Sequence, residues 1–475
     1  MARQRISTDY LVIGSGAAGM AFTDALLAHS DASVVLVDRR HAPGGHWNDS
    51  YSFCRLHQPS AFYGVDSLPL GRDTIDTVGL NRGGYERATA AEIRGYYQRV
   101  LDERFLPTGR VRHLPMSDHV GDRRVVSRVT GEEVDVEVRA RIVDANYLGP
   151  RIPATSPPPF EVAPDARCVT VNALAHLESP GAGYVIVGGG KTSMDAIIWL
   201  LEQGTDPEVI TWIKPREAWL TNRDYFQPLS KAGSFIENAS YFAEAGARAE
   251  SVSEFVAHLH ANEVLLRVDE SEEPAMAMVP TINAAELAEL RRIRNVVRLG
   301  HVRRITRNEI VLDHGRVATT PDHVHVHCAT AAIPKRPLAP VFTEDHITLQ
   351  YIRYAYPCLS AGVAGFLEAT RGDTDEKNRL SPPHGVPDNP IGLAEVIRHS
   401  MTVSMEWSGE PDLTAYVDGS RLNGAKGWKE QLGEAHVQAA IQRYIENVEP
   451  AIANLERLTA GEANATSSTP ARSLT

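Results

Sequence analysis

The clearest chemical signal in this sequence comes from two glycine-rich turns, Gly14-Ser-Gly-Ala-Ala-Gly19 and Gly188-Gly-Gly-Lys-Thr-Ser193. Each turn follows a short apolar run and precedes a helix-forming run. The first glycine of such a turn allows a sharp bend, the second lets the backbone approach phosphate groups, and the helix N-terminus attracts their charge. Each turn therefore predicts a site for a dinucleotide pyrophosphate. The residues predicted to bind are Gly14, Gly16, Ala17, Ala18 and Gly19 at the first turn, and Gly188, Gly190, Lys191, Thr192 and Ser193 at the second.

Charged residues end the next apolar run after each turn. Asp38 and Arg39 end the first of these runs, and Asp38 lies about 24 residues after Gly14, near the offset of about 20 at which an acid accepts ribose hydroxyls. Lys214 and Arg216 end the second. Basic side chains at this place favour the 2′-phosphate of NADP over the free ribose of NAD. The sequence thus predicts NADPH at the second turn, the alternative being a solvated basic turn.

A third motif lies within residues 41–59. Its members are Gly45, His46 and Trp47, then Tyr51, and then an Arg-Leu-His-x-Pro run that contains Leu56 and His57. Following a ribose-binding acid, this motif resembles that of the flavin-containing monooxygenases, especially the bacterial enzymes and the plant auxin-forming group. The resemblance covers most of residues 8–370 and is most specific at 9–59 and 183–216. Taken by itself, Trp47 is more typical of a core aromatic than of a flavin pocket.

The resemblance implies an α/β fold of two nested Rossmann-like dinucleotide-binding domains, one for FAD and one for NADPH, with a C-terminal helical extension. In that family NADPH reduces FAD, and the reduced flavin traps O₂ as a C4a-hydroperoxide that oxygenates nitrogen or sulfur or inserts oxygen beside a ketone. His57 is the candidate catalytic residue, as a hydrogen-bonding partner of the peroxide or of NADP⁺; the alternative is a structural histidine. The matching residues expected to contact the flavin cofactor are Arg39, Gly45, His46, Trp47, Leu56 and His57.

Two departures from the family pattern keep other functions open. Asn146 replaces the usual threonine of a strand-ending Ala-Thr-Gly motif, and the run Thr170-Val-Asn-Ala-Leu-Ala-His176 retains only the histidine of Phe-x-Gly-x-x-x-His. One alternative is an FAD-dependent NADPH oxidase or dehydrogenase without a stable peroxyflavin. The other is a non-catalytic flavin- or nucleotide-binding sensor. For an enzyme, the expected partners are O₂ and a small organic molecule whose identity no stretch of the sequence indicates.

Composition argues against several other classes of protein. The 475 residues carry a formal net charge of −12, so a nucleic-acid surface is not expected. The four cysteines form no Cys-x-x-Cys pair, which argues against structural zinc and a disulfide framework. His323, His325 and His327 share a strand face without carboxylate or thiol partners, so we expect no metal. With a first strand near Asp9 and no membrane-length apolar run, we expect a cytoplasmic protein, whether monomer or homo-oligomer.

The predicted domains follow the order of these motifs. Within the FAD domain we expect a β-meander at 111–143 and a small-residue strand at 356–366 beside the flavin ring. The predicted boundaries are 1–155 for the first part of the FAD domain, 156–320 for the NADPH domain with a helical insertion near 219–299, 321–390 for the second part of the FAD domain, 391–458 for the C-terminal helices and 459–475 for a disordered tail.

Overall fold

Two β-sheets with helices packed on them form the framework of the chain. The computed structural model describes residues 4–121, 123–277, 280–330, 333–354 and 356–467, with side chains through residue 461. The strands of this part are β1 (Gln4–Ile13), β2 (Val34–Val37), β3 (Val111–Leu114), β4 (Ser117–His119), β5 (Arg124–Ser127), β6 (Glu133–Asp144), β7 (Glu161–Val162), β8 (Cys168–Thr170), β9 (Gly183–Val187), β10 (Ile210–Ile213), β11 (Leu220–Asn222), β12 (Leu265–Leu266), β13 (Thr281–Ile282), β14 (Asn295–Val297), β15 (Val302–Ile305), β16 (Glu309–Leu312), β17 (Gly315–Ala318), β18 (His323–His327) and β19 (His346–Thr348). The α-helices are α1 (Ala17–His29), α2 (Ala90–Val100), α3 (Val171–Leu174), α4 (Lys191–Glu202), α5 (Gly233–Arg248), α6 (Val252–Ala261), α7 (Ala284–Leu290), α8 (Pro357–Thr370), α9 (Thr374–Leu380), α10 (Pro390–Ser408), α11 (Pro411–Gly419) and α12 (Ala435–Ser467).

The first sheet holds the first glycine turn. Its strand order is β3-β2-β1-β6-β5-β4, and β19 also pairs with β6. β1 runs parallel to β2 and β6, with Ile13 opposite Val37 and Asp144. All of β2 is buried, as expected of a parallel strand covered on both faces. β4, β5 and β6 pair antiparallel, as the meander predicted at 111–143 requires, but β3 is instead a parallel neighbour of β2.

The second sheet is entirely parallel, in the order β14-β10-β9-β18-β8. β9 leads into the second glycine turn, and α4 follows that turn directly. The chain leaves the first sheet after β6 and returns to it with β19, so the second domain is inserted into the first. This arrangement confirms the predicted α/β fold with two nested Rossmann-like domains. A small antiparallel sheet of β15, β16 and β17 is extended by β7.

Helices and a small sheet form the insertion that follows β10. It contains α5, α6 and α7 with the sheet β12-β11-β13. The C-terminal helix α12 packs along α5, where a Cβ on Gly246 would lie 3.0 Å from Leu455 Cδ1. Gly246 therefore allows the two helices to approach closely, and the predicted helical extension is present. α12 continues to Ser467, past the predicted start of the disordered tail, and residues 468–475 of that tail lie outside the described residues.

The segment predicted as a small-residue strand at 356–366 is instead part of the helix α8. Pro357 occupies its first position, where a missing N–H costs nothing. A Cβ on Gly365 would lie 2.5 Å from the Phe22 carbonyl oxygen of α1, so the small residues serve close helix packing. An apolar run of this kind has no period that separates a buried strand from a buried helix. The strand that extends the first sheet is β19.

Candidate functional site

The first glycine turn has backbone geometry that side chains would prevent. Gly14 has a φ of +110°, and a Cβ there would lie 2.7 Å from Oδ1 of Asn146. A Cβ on Gly19 would lie 1.9 Å from the Gly14 carbonyl oxygen, so this third glycine lets α1 pack directly on the turn. Asn146, which replaces the expected threonine, donates its side-chain N–H to the carbonyl of Ile13 at 3.0 Å. The turn and the end of β6 therefore support each other.

The N-terminus of α1 carries unneutralised backbone donors. Its N-cap is Gly16, which provides no side-chain acceptor, and its first turn, beginning with Ala17 and Ala18, contains no acid. A Cβ on Gly45 would lie 2.9 Å from the Gly16 Cα atom, so the third motif closes over the turn through glycine alone. A helix N-terminus with free N–H groups and an approachable backbone suits a pyrophosphate. The residues present therefore fit the diphosphate of FAD.

Asp38 and Arg39 differ in where their side chains lie. The Asp38 carboxylate is buried and accepts hydrogen bonds from the Ser15 N–H at 2.7 Å and the Ser15 hydroxyl at 2.9 Å. It also accepts a hydrogen bond from the Arg40 N–H at 2.8 Å. The carboxylate therefore fixes the turn from the end of β2, and one lone pair remains that a ribose hydroxyl could use. Arg39 is exposed, and its guanidinium lies 3.6 Å from Asp118 on β4. Its side chain is thus directed along the sheet edge toward the meander.

Trp47 and His46 lie next to the first turn. Trp47 is buried and donates its indole N–H to the Tyr63 hydroxyl at 2.8 Å. The His46 ring centroid is 5.0 Å from that of Trp47. Burial and the Arg40 charge lower the pKa of His46 to about 4, so its imidazole is neutral at pH 7. These rings provide a flat aromatic wall with uncharged hydrogen-bonding groups, which suits a flavin ring.

His57 is an exposed residue that lies near Lys191 at the start of α4. Solvent reaches its side chain, but it is surrounded by protein. That surrounding and the Lys191 charge lower the pKa of His57 to about 3, so it is a neutral hydrogen-bonding group at pH 7. Its carbonyl oxygen accepts a hydrogen bond from Nε of Arg223 at 2.6 Å, while the preceding Leu56 is buried. The backbone that presents His57 is therefore held from the inserted domain.

A buried ion-pair network, which the sequence did not indicate, holds the carbonyls of Leu56 and His57. Arg223 is fully buried and pairs with Glu286 at 2.6 Å. Arg87 pairs with the other oxygen of Glu286 at 3.0 Å and donates to the Leu56 carbonyl at 3.4 Å. One carboxylate thus neutralises two guanidinium groups that come from distant parts of the chain. The amino-acid sequence around this network shows only the capping-box spacing of Asn283 and Glu286, and that spacing indicates the start of a helix.

The second glycine turn has the same backbone character as the first. Gly188 has a φ of +136°, and a Cβ there would lie 3.1 Å from the Cys328 backbone. The N-cap of α4 is Gly190, which has no side-chain cap and no acid in the turn that follows. A Cβ on Gly190 would meet no atom within 4 Å, so a ligand has room to approach. This turn fits a second pyrophosphate.

The side chains predicted at the second turn are mostly engaged within the protein. Ser193 is fully buried, and its hydroxyl donates to the Gly190 carbonyl at 2.6 Å. Lys191 is buried and ion-paired with Asp195 one turn along α4. Thr192 is half-buried on the first turn of that helix. Backbone N–H groups, with Thr192, are therefore the donors left for a ligand.

Lys214 and Arg216, both predicted to meet the 2′-phosphate, have different environments. Lys214 is buried, lies 4.3 Å above the Trp212 ring and pairs with Glu217 at 2.6 Å. Its charge is therefore already neutralised. Arg216 is exposed, and its carbonyl oxygen would lie 3.6 Å from a Cβ on Gly189. Arg216 thus remains as the accessible cation beside the second turn.

Direct contacts join the two glycine-turn units. The Tyr51 hydroxyl donates to Asp195 at 2.7 Å. The rings of Phe53 and Trp199 stack with centroids 4.8 Å apart and planes 15° apart. The segment 45–58 therefore contacts the first turn through Gly45 and α4 through Tyr51 and Phe53. No periodicity in the sequence indicated this pairing.

The histidines of β18 have structural partners. Nε2 of His325 lies 2.9 Å from the Thr319 hydroxyl, and the His327 ring meets the Phe160 ring edge-on at 5.5 Å. Across the described residues, no group of three or more His, Cys, Asp or Glu side chains is arranged to hold a metal ion. No helix in that same part of the chain combines the length and apolar character needed to span a bilayer.

Comparisons with known proteins place the chain among relatives. Residues 12–66 match the model of the NAD(P)-binding Rossmann-like domain. The uncharacterized protein Rv2000 of Mycobacterium tuberculosis (strain ATCC 25618 / H37Rv) is 43% identical over 419 residues, which cover 88% of this chain and 78% of that protein. The uncharacterized protein Mb2023 of Mycobacterium bovis (strain ATCC BAA-935 / AF2122/97) matches at the same identity and coverage.

The chain also has similarity to solved structures, of which two are given. A flavin-containing monooxygenase from Stenotrophomonas maltophilia aligns over 86% of this chain and 99% of its own, at 18% identity and a TM-score of 0.41. The open crystal structure of cyclohexanone monooxygenase aligns over 92% of this chain and 98% of its own, at 14% identity and a TM-score of 0.47.

Proposed function

We propose that this chain, which belongs to one family with the mycobacterial proteins Rv2000 and Mb2023, is an FAD-dependent, NADPH-reduced monooxygenase of a small organic substrate. The observation that carries the proposal is the segment 45–58. Gly45 of this segment packs against Gly16 at the first turn, and Tyr51 bonds to Asp195 on the helix that follows the second turn. Two dinucleotides bound at these turns would therefore approach each other across one short segment, as electron transfer between them requires.

FAD is assigned to the first turn because the wall beside it is aromatic and uncharged. The diphosphate would lie against the N-terminus of α1, the ribose against Asp38, and the flavin ring toward Trp47 and His57. When bound, the flavin would supply the redox chemistry, which is to accept two electrons from NADPH and to activate O₂ so that one oxygen atom can be transferred. His57, neutral at pH 7, would offer or accept a hydrogen bond at the reacting centre without adding charge.

NADPH is assigned to the second turn, with Arg216 as its specificity residue. The diphosphate would lie against the N-terminus of α4, where Gly190 leaves room. Arg216, at the end of β10, would pair with the 2′-phosphate. Lys214 instead has a structural role in this proposal, because Glu217 already neutralises its ammonium group. The expected preference for NADPH over NADH therefore depends on one accessible guanidinium.

The protein would contribute binding, orientation and exclusion of water more than acid–base chemistry. The network of Arg87, Arg223 and Glu286 holds the carbonyls of Leu56 and His57, so the groups facing the flavin ring are positioned before any cofactor binds. Preorganised groups of this kind lower the reorganisation needed during reaction.

The proposal is tested by measuring where the electrons of NADPH go. The FAD-loaded protein is given NADPH in air with a panel of sulfides, tertiary amines and ketones, and NADPH consumption, oxygenated product and hydrogen peroxide are quantified. For a monooxygenase, one panel member yields product in near-equal amount to NADPH consumed, with little peroxide. Consumption that ends in peroxide with every member contradicts oxygenation and identifies an NADPH oxidase. Absence of consumption identifies a sensor.

A further inference from the structure

The segment between β19 and α8 crosses the sheet edge at which the first glycine turn lies. β1, β6 and β19 are parallel, with Ile13 and Thr348 both opposite Asp144, so the residues that follow these strands meet at one edge. Further along this segment, the Tyr356 ring lies 6.0 Å from that of Phe62, which follows the Arg-Leu-His-x-Pro run. The segment therefore borders the proposed flavin site.

Arg353, on this segment, is a half-buried cation that lies over an aromatic ring. Its guanidinium carbon lies 5.5 Å from the centroid of the Trp407 ring. The titratable groups that act on it are the phenols of Tyr356 and Tyr444, and burial lowers the pKa of Arg353. A guanidinium nevertheless remains charged at neutral pH. Within the described ranges, no Asp or Glu side chain forms an ion pair with it.

Arg353 differs in this respect from two buried cations of the chain, although the half-buried Arg398 likewise has no carboxylate partner among the described residues. Lys214 has Glu217 at 2.6 Å, and Arg223 has Glu286 at 2.6 Å. A desolvated charge without a counter-ion is costly, and a carboxylate that reaches it gains more than it would in water. The surroundings of Arg353 thus favour binding of an anion.

In the part of the chain that the structure describes, histidines and aromatic rings are the groups nearest this segment. His384 and His399 have ring centroids 5.2 Å apart, and Nε2 of His399 lies 3.2 Å from the Ile352 carbonyl oxygen. Burial lowers the pKa of both histidines, to about 4 for His399, so both are neutral at pH 7. The Tyr356 ring is backed by that of Phe235 at 6.3 Å. The charge of Arg398 also acts on His399, so the surroundings of Arg353 combine aromatic surfaces, neutral histidines and a second positive charge.

We propose that Arg353 binds the carboxylate of the substrate, whose apolar or aromatic body stacks on the rings of Tyr356 and Tyr444. This inference rests on the proposed function and names its substrate class, an organic acid with an oxidisable nitrogen, sulfur or ketone. The planar guanidinium matches the two oxygens of a carboxylate. Arg353 is then a specificity-determining residue that orients the substrate toward the flavin ring.

The test measures binding of phenylacetate and of its uncharged isostere phenylacetamide to the FAD-loaded protein by titration calorimetry. We expect phenylacetate to bind more tightly than phenylacetamide in the wild type, by roughly tenfold to hundredfold, the range for hydrogen bonds to a charged partner. R353Q abolishes this preference, and R353K, which keeps the charge but loses the planar fork, retains part of it. R336Q is the matched control, because Arg336 also lies over a tyrosine ring, 5.2 Å from Tyr147, and is exposed.

Several results would overturn the inference. These are equal affinity for the acid and the amide in the wild type, unchanged phenylacetate binding in R353Q, or no binding of phenylacetate, indole-3-acetate or octanoate. If R353Q fails to fold, the inference is tested by two other measurements: the preference of the wild type for phenylacetate over phenylacetamide, and the same preference in R353K. Loss of FAD from R353Q with phenylacetate binding retained would assign Arg353 to the cofactor instead. Failure of NADPH to reduce the flavin contradicts the proposed function, whereas binding independent of Arg353 with normal flavin reduction contradicts this inference alone.

Discussion

Replacing Glu286 with glutamine is expected to destabilise the junction that presents His57. Glu286 is 3% exposed, and its oxygens lie 3.0 Å from Arg87 and 2.6 Å from Arg223. In E286Q both guanidinium groups lose their shared carboxylate while remaining buried. Removing one partner of a buried ion pair costs about 3–5 kcal/mol of unfolding free energy. The effect should extend to the carbonyls of Leu56 and His57, which the two arginines hold.

The pKa of Glu286 indicates a loss of unfolding free energy of similar size. Burial alone would raise it, but the charges of Arg223, Lys191 and Arg87 hold the pKa of Glu286 at about 2, against about 4.3 in an unfolded chain. A difference of about two units corresponds to about 3 kcal/mol. Because the folded-state pKa is the lower one, this stabilisation is complete above about pH 4.3 and is lost as pH falls toward 2. At pH 7 the full stabilisation of about 3 kcal/mol is therefore present.

The assay is equilibrium urea unfolding at pH 7, combined with hydrogen exchange of residues 55–58 and 283–290. E289Q is the matched control, since Glu289 lies on the same helix and forms an ion pair with Arg292 whose side chain is 48% exposed. Such surface pairs contribute about 0–1 kcal/mol. We expect E286Q to lose about 3 kcal/mol and exchange protection in both segments. A loss below about 1 kcal/mol, equal to that of E289Q, would refute the reasoning.

Three further substitutions test the nucleotide sites. Y51F removes a hydrogen bond to a carboxylate, worth about 1.5–3 kcal/mol, so stopped-flow should show slower flavin reduction by NADPH at saturation; an unchanged rate argues against this contact as the link between the turns. R216Q should raise the KM for NADPH roughly tenfold to hundredfold but leave the KM for NADH unchanged. K214Q should instead lower the thermal midpoint of unfolding. If K214Q raised the KM for NADPH and R216Q did not, Lys214 would be the residue that binds the 2′-phosphate. G45A introduces a side chain at a φ of +57° and should reduce FAD content. G131A is the matched control, because Gly131 has a φ of +73° and a Cβ there meets no atom within 4 Å. Equal FAD content in the two variants would show that residue 45 is not part of the FAD site.

The parts of the fold that the sequence predicted are those set by local pattern. The two glycine turns, the flanking strands and the acid at the end of β2 are all encoded within short stretches, where sterics and strand periodicity determine the structure. In the structure, Gly19 packs on Gly14 and Gly45 packs on Gly16. Their ligands stay proposals, but the backbone they create was predictable.

The parts that the sequence did not predict depend on contacts between distant residues. Lys214 was expected to face a phosphate, but Trp212 and Glu217 surround it; the i,i+3 spacing of Lys214 and Glu217 was the available signal. The pairing of Arg223 with Glu286 has no local signature, because the two residues are 63 positions apart. Arg87 joins them only when the insertion packs on the first domain. Arg353 follows β19 as an ordinary basic residue, and its partial burial over the Trp407 ring depends on α10, which lies far along the chain.

The central claim is that NADPH at the second turn delivers electrons to FAD at the first. Anaerobic stopped-flow mixing of the FAD-loaded protein with NADPH or NADH, followed by flavin absorbance near its visible maximum, measures this directly. The account predicts rapid bleaching by NADPH, much slower bleaching by NADH, and loss of that difference in R216Q. An FAD-loaded protein that neither nucleotide reduces would contradict the account.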